Sequence, residues 1–278
     1  MKRFALATAA GLLLLTTLVP NAQAATTSIV GHFAYVTTKQ DVLPSSEATQ
    51  GAICPAGFTT TGAGGSLTSN AGWLSEMKFD SGPRTTVTVS AFSGSTKMQT
   101  LTNYAVCAKD SAVPHGYANS IKTSSFVDSN SISCPSGQPA IGGTGSFDQS
   151  FSTSNLLSSF PDQATPTETW EMAGNSASTT NHYIASAVCA TAPLTVRHVV
   201  RQTILGPNQT KTLSAPCPSG THVTAGGFES GGGLVLAEAS KPFDSRDAGT
   251  APDDGWRATL VSGSAFPTVF AVHALCLR

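Results

Sequence analysis

Beyond its N-terminal region, the chain breaks into short apolar or β-branched runs separated by segments rich in Gly, Pro, Ser and Asn. Thr85 to Val89, Thr195 to Val200 and Thr268 to Leu275 are such runs, and others stand at Phe33 to Thr38, Ser120 to Val127 and His198 to Leu205. Their length and β-branched content predict strands. No later segment places apolar residues at helical spacing, so the expected fold class is all-β.

The runs recur with fixed punctuation. Cys54-Pro55-Ala56-Gly57, Cys134-Pro135-Ser136-Gly137 and Cys217-Pro218-Ser219-Gly220 share one pattern. Each is followed by a glycine pair, Gly64-Gly65, Gly142-Gly143 and Gly226-Gly227. A third mark aligns Val87, Trp170 and Trp256, and each unit closes on a second cysteine, Cys107, Cys189 or Cys276. Three marks in one order, three times over, define an internal repeat. It divides the chain into 25–109, 110–191 and 192–278, with five or six short strands expected in each unit. The simplest pairing joins first and last cysteine within a unit: Cys54 with Cys107, Cys134 with Cys189, Cys217 with Cys276. The connectors Lys109 to His115 and Thr191 to Leu194 are too short and too mixed for linkers. They favour three antiparallel pseudo-repeats, each closed by a disulfide, packed around a pseudo-threefold axis; three small β-domains in a row are the alternative.

Residues 1–24 read as a secretory signal peptide. Lys2 and Arg3 precede an apolar run from Phe4 to about Val19, and Ala22 and Ala24 suit a peptidase. All six cysteines lie beyond it, in keeping with an oxidising, extracellular or periplasmic setting. Only 11% of residues are charged, and about a quarter are Ser or Thr. Removing Lys2 and Arg3 from the 15 basic residues leaves 13 against 16 acidic, a net charge of −3. That balance supplies no basic face for nucleic acid or anionic lipid. No later segment is apolar enough to insert in a membrane.

Candidate chemistry is sparse. Pro fixes φ and Gly permits φ > 0 two residues later, so Cys-Pro-x-Gly reads as a disulfide-locked turn. An aliphatic residue, Val87, at the Trp170 and Trp256 position points to a buried site. Trp73 has no counterpart in the other units and stands with Tyr35, Tyr104, Tyr117 and Tyr183 among the aromatics open to exposure; it is a candidate ligand contact, with packing the plainer reading. Pro161 to Glu168 and Pro242 to Asp254 differ in length between units, as binding loops do, and Asp162, Asp244 and Asp247 are candidate ligand contacts there. Asp244, Asp247, Asp253 and Asp254 depart from the spacing of a calcium loop, so a solvated acidic loop is expected. The six histidines show no metal spacing, and no nucleophile elbow or P-loop occurs. No catalytic residue, metal or cofactor is assigned. A Ser-His-Asp group assembled only by folding stays open, since such groups are defined by geometry.

The repeated Cys-Pro-x-Gly, the glycine pair, the Trp and the closing Ala-Val-Cys-Ala resemble a repeat of secreted bacterial proteins. The resemblance spans nearly the whole chain after residue 24 and implies export and a disulfide-framed β fold, with no chemistry to carry over. Val87 and the ending Leu275-Cys276-Leu277 depart from it. The leading expectation is a secreted, non-enzymatic protein binding carbohydrate or another cell-envelope component. A structural or protein-interaction module of the cell surface is the alternative, and a hydrolase the third reading. Glycan binding calls for exposed Trp or Tyr in the variable loops, the module for an exposed sheet edge or apolar patch, and a hydrolase for a cleft joining a His to Ser or Asp. Oligomeric state is not legible in the chain.

Overall fold

A computed structural model describes residues 24–69, 71–80, 82, 84–147, 154–162, 169–232, 234–245 and 249–278, so the expected signal peptide falls almost wholly outside the described residues. The described chain is all-β. Seven strands form the first unit: β1 (Thr26–Val30), β2 (Phe33–Val42), β3 (Glu47–Ile53), β4 (Phe58–Leu67), β5 (Gly72–Phe79), β6 (Thr86–Ser93) and β7 (Gln99–Lys109). The second has four: β8 (His115–Ser133), β9 (Ala140–Phe147), β10 (Ser154–Pro161) and β11 (Thr169–Ala190). The third has six: β12 (Arg197–Leu205), β13 (Thr210–Pro216), β14 (His222–Ser230), β15 (Val235–Phe243), β16 (Gly255–Ser262) and β17 (Thr268–Leu277). The first and second units depart from the expected five or six strands: β1 is added at the edge of the first, and in the second the long β8 and β11 each do the work of two. Pro161, Pro242 and Phe243, expected in loops, end strands instead.

Every unit is a pair of three-stranded antiparallel sheets. In the first, β2-β7-β4 forms one sheet, with β1 added at its edge, and β3-β6-β5 the other. In the third the sheets are β12-β17-β14 and β13-β16-β15. In the second, the two halves of β11 pair with opposite halves of β8, and β9 and β10 complete the two sheets. Side chains trapped between the sheets make the core, among them Leu74, Val89 and Leu101 in the first unit, Phe147, Leu156 and Tyr183 in the second, and Phe228, Leu260 and Phe270 in the third.

The disulfides are Cys54–Cys107, Cys134–Cys189 and Cys217–Cys276, the pairing expected from the repeat. Each ties the exit of one sheet to a central strand of the other. Sequence separations of 53, 55 and 59 give a chain-entropy stabilisation of about 4 kcal/mol per bridge. Each Cys-Pro-x-Gly is a type II turn. Gly57, Gly137 and Gly220 have φ of 79°, 77° and 74°, and Phe58, Gln138 and Thr221 donate backbone N–H to Pro55, Pro135 and Pro218.

Strand register revises the alignment of the glycines. Gly62, Gly142 and Ala225 face the same partner position, Val106, Val188 and Leu275, and one bulge residue precedes each: Thr61, Ile141 and Thr224. The glycine pairs are therefore shifted against one another by a residue or two, although each lies in the same strand. These strands, β4, β9 and β14, are almost wholly buried on both faces, and their small side chains let backbones approach closely.

Each of them meets the neighbouring unit. β15 pairs with β4 at Ser240 and Gly65, β10 pairs with β14 at Ser159 and Phe228, and Thr144 of β9 donates its hydroxyl to Met77 O of β5. Contacts thus run from first unit to second, second to third and third to first. A row of domains would leave the first and third units apart. At the meeting point Thr61 Oγ1 donates to Thr224 O (2.8 Å), and Thr224 Oγ1 donates to Ile141 O (2.7 Å).

Candidate functional site

A concavity of about 730 Å³ lies where the unit connectors meet a Cys-Pro turn. His32 comes from the tight turn between β1 and β2, Ala112 and Val113 from the connector after β7, and Pro193, Leu194 and Thr195 from the connector before β12. Pro218, Ser219 and Thr221 come from the third type II turn, while Arg197 opens β12 and Leu277 and Arg278 follow from β17. Pro193, Leu194 and Pro218 give its apolar surface over the buried Val113 and Leu277, and guanidinium groups, hydroxyls and the His32 imidazole complete the lining. No Trp, Tyr or Phe takes part.

A smaller chamber of about 280 Å³ shares Pro218, Ser219 and Thr221 with the groove and adds His222, Asp253 and Asp254. His222 Nδ1 lies 2.5 Å from the buried Asp253 Oδ2, and Phe33 packs against the imidazole at 6.0 Å. A carboxylate on Nδ1 is the orienting half of a hydrolytic triad. The other half is missing: no hydroxyl of the described residues is hydrogen-bonded to His222 Nε2, and Thr221 Oγ1 donates to Pro218 O.

A hydroxyl–imidazole contact stands at the first unit's turn. Thr59 Oγ1 lies 2.7 Å from His115 Nε2 and also donates to Asp110, while His115 Nδ1 is 2.6 Å from Val113 O. Tyr117 donates to Thr60 O at 2.7 Å, and Arg84 covers its ring at 5.0 Å. The Thr59 proton is engaged by a carboxylate, so the group latches the first connector onto the turn.

The residues expected from the sequence do not converge. Trp73 opens β5, whereas Asp162 and Asp244 follow the ends of β10 and β15, its counterparts, and so lie at the opposite end of the equivalent strand. Trp73 is half-buried and stacked on Phe92 at 4.6 Å, with its Nε1 buried and unpartnered, a poor platform for a sugar ring. Asp162 is partly buried, and its charge together with burial raises the Glu171 carboxyl. Asp244 is exposed, and Asp247 lies outside the described residues. Among the described residues no three potential metal ligands come together.

The structure also joins residues that local reading separates. His198 Nε2 and His273 Nδ1 are 3.1 Å apart with stacked rings, and His273 Nε2 is 3.6 Å from Glu229. Burial, with His273 adjacent, lowers His198 to about 4. Aligning units shows His273 standing where Tyr104 and Ser186 stand, which marks it as particular to the third unit. The groove residues carry no such signal, because they come from separate segments with no shared motif. Comparison with known proteins adds nothing to this geometry: no family model matches the chain, and no curated protein does.

Proposed function

We propose that the protein is a secreted, non-enzymatic binding protein for carbohydrate or another component of the cell envelope, and that the groove between the connectors and the third turn is its binding site. The carrying observation is the groove's lining, in which exposed apolar side chains share one surface with hydroxyl and guanidinium groups. Such a mixture suits a ligand with both ring faces and polar substituents. The three disulfides suit an oxidising compartment, and among the described residues no helix is long and apolar enough to cross a membrane.

A polysaccharide binding screen of the oxidised protein against a reduced sample tests this reading. Ser219→Trp, an exposed position, fills the groove without touching the core. Binding lost on reduction and in Ser219→Trp is the expected result; binding that Ser219→Trp leaves intact would move the site elsewhere. A second reading, an interaction module, has its own support. Ile121, Phe126 and Val127 are 66%, 60% and 65% exposed along β8, an apolar set on a strand surface.

A further inference from the structure

Resting on the proposed groove, we infer that its ligand is an anionic envelope polymer whose carboxylate or phosphodiester groups seat against Arg197 and Arg278. Arg197 pairs in register with Cys276, which puts Arg278 two positions further along the adjacent strand line, and both side chains line one groove. Neither guanidinium has a hydrogen-bond or ion-pair partner among the described residues. Among the described residues no carboxylate side chain lines the groove, and the nearest ones face other partners. Asp253 holds His222, Asp254 accepts from Ser245 N at 2.6 Å, and Asp110 accepts from Thr59. In a chain with more acidic than basic side chains after residue 24, two unpaired arginines in one concavity form a local reversal of charge.

The reversal continues along β12. Residues four apart on a strand share a face, and Arg201, exposed and likewise without a partner among the described residues, follows Arg197 at roughly 13 Å. A polymer carrying repeated anions can therefore engage the groove and the strand together, which a single small anion cannot. Arginine forks suit carboxylate and phosphate oxygens alike. Ser219 and Thr195 add hydroxyls for sugar substituents, and Pro193 and Leu194 a surface for ring carbons. With no Trp, Tyr or Phe in the lining, charge and hydrogen bonding take the larger part.

The test measures binding of the oxidised full chain to polygalacturonate, a glycerol-phosphate polymer and neutral dextran, each at low and high salt. Melting temperatures of Arg197→Gln, Arg278→Gln and Arg201→Gln confirm that these surface changes leave the fold intact. Lys97→Gln, exposed and outside the groove, is the control. Expected is binding to an anionic polymer that drops about ten-fold or more in Arg197→Gln or Arg278→Gln, less in Arg201→Gln, weakens with salt, and is unchanged in Lys97→Gln. The polymer preferred identifies carboxylate or phosphodiester as the source. Binding to dextran that is indifferent to the arginine variants would overturn the inference and leave the envelope-binding reading standing. Silence toward all three polymers would overturn both.

Discussion

A Cβ added to Gly143 would stand 2.2 Å from Trp170 Cδ2, and one added to Gly226 would stand 2.2 Å from Trp256 Cγ. Each indole needs the glycine opposite it. Each also needs a hydroxyl, since Trp170 Nε1 donates to Ser159 Oγ (3.0 Å) and Trp256 Nε1 to Ser240 Oγ (2.9 Å). The first unit replaces all three: register puts Val87 at the Trp position, Ala63 at the Gly position and Met77 at the Ser position. Smaller side chain, larger neighbour and an apolar group where no N–H needs an acceptor form one packing solution exchanged for another. Gly143→Ala alone is expected to destabilise by about 1–3 kcal/mol through overpacking. Trp170→Val makes room for the methyl, so Gly143→Ala should cost less in that background. A double-mutant cycle by denaturant unfolding checks this, and additivity within about 0.5 kcal/mol would contradict the account.

At the scale of elements, a bulge interrupts each of β5, β10 and β15, at Ser75, Leu157 and Glu238. The inserted residue breaks the alternation of faces and turns a side chain inward. For Glu238 this leaves a carboxyl only 6% exposed, with Oε1 unpartnered, and burial raises it to about 7. The folded chain thus holds a proton that the unfolded chain releases near 4.5. Stability is full below that value and falls as pH rises through about 7. Glu238→Gln removes the loss, so the variant should melt higher than the wild type at pH 8 and equally at pH 4. His198 works in the opposite sense. Its lowered value means that stability is present above about 6.5 and declines as pH falls toward 4, and His198→Asn should flatten that acid limb.

The whole molecule is held by contacts that return from the third unit to the first. Gly227 sits where a Cβ would lie 1.7 Å from Ser159 O, so the second and third units approach through bare backbone. Thr224, whose hydroxyl donates to Ile141 O while its own carbonyl accepts from Thr61, touches both other units. Three units in a closed circuit cannot separate one at a time without exposing two interfaces. Calorimetry of the oxidised protein should therefore show one transition, with calorimetric and van't Hoff enthalpies equal. Gly227→Ala should lower that single transition, whereas three resolved transitions would mean independent domains.

Much of the fold was legible because its signals are local. Alternation and β-branching mark strands, Pro and Gly mark turns, and a repeated cysteine frame specifies the disulfides once the chain is known to recur. The buried place of Trp170 and Trp256 was readable for the same reason, since Val87 stands as an internal comparison. The merging of strands into β8 and β11, the shift of the glycine register and the circuit of units depend on which backbones come within hydrogen-bonding reach. No local pattern encodes that. The groove belongs to the same class. Arg197, Ser219 and Arg278 come to line one concavity only when connector, turn and strand end are packed together, because a concavity is set by distance in space and the sequence records only order along the chain.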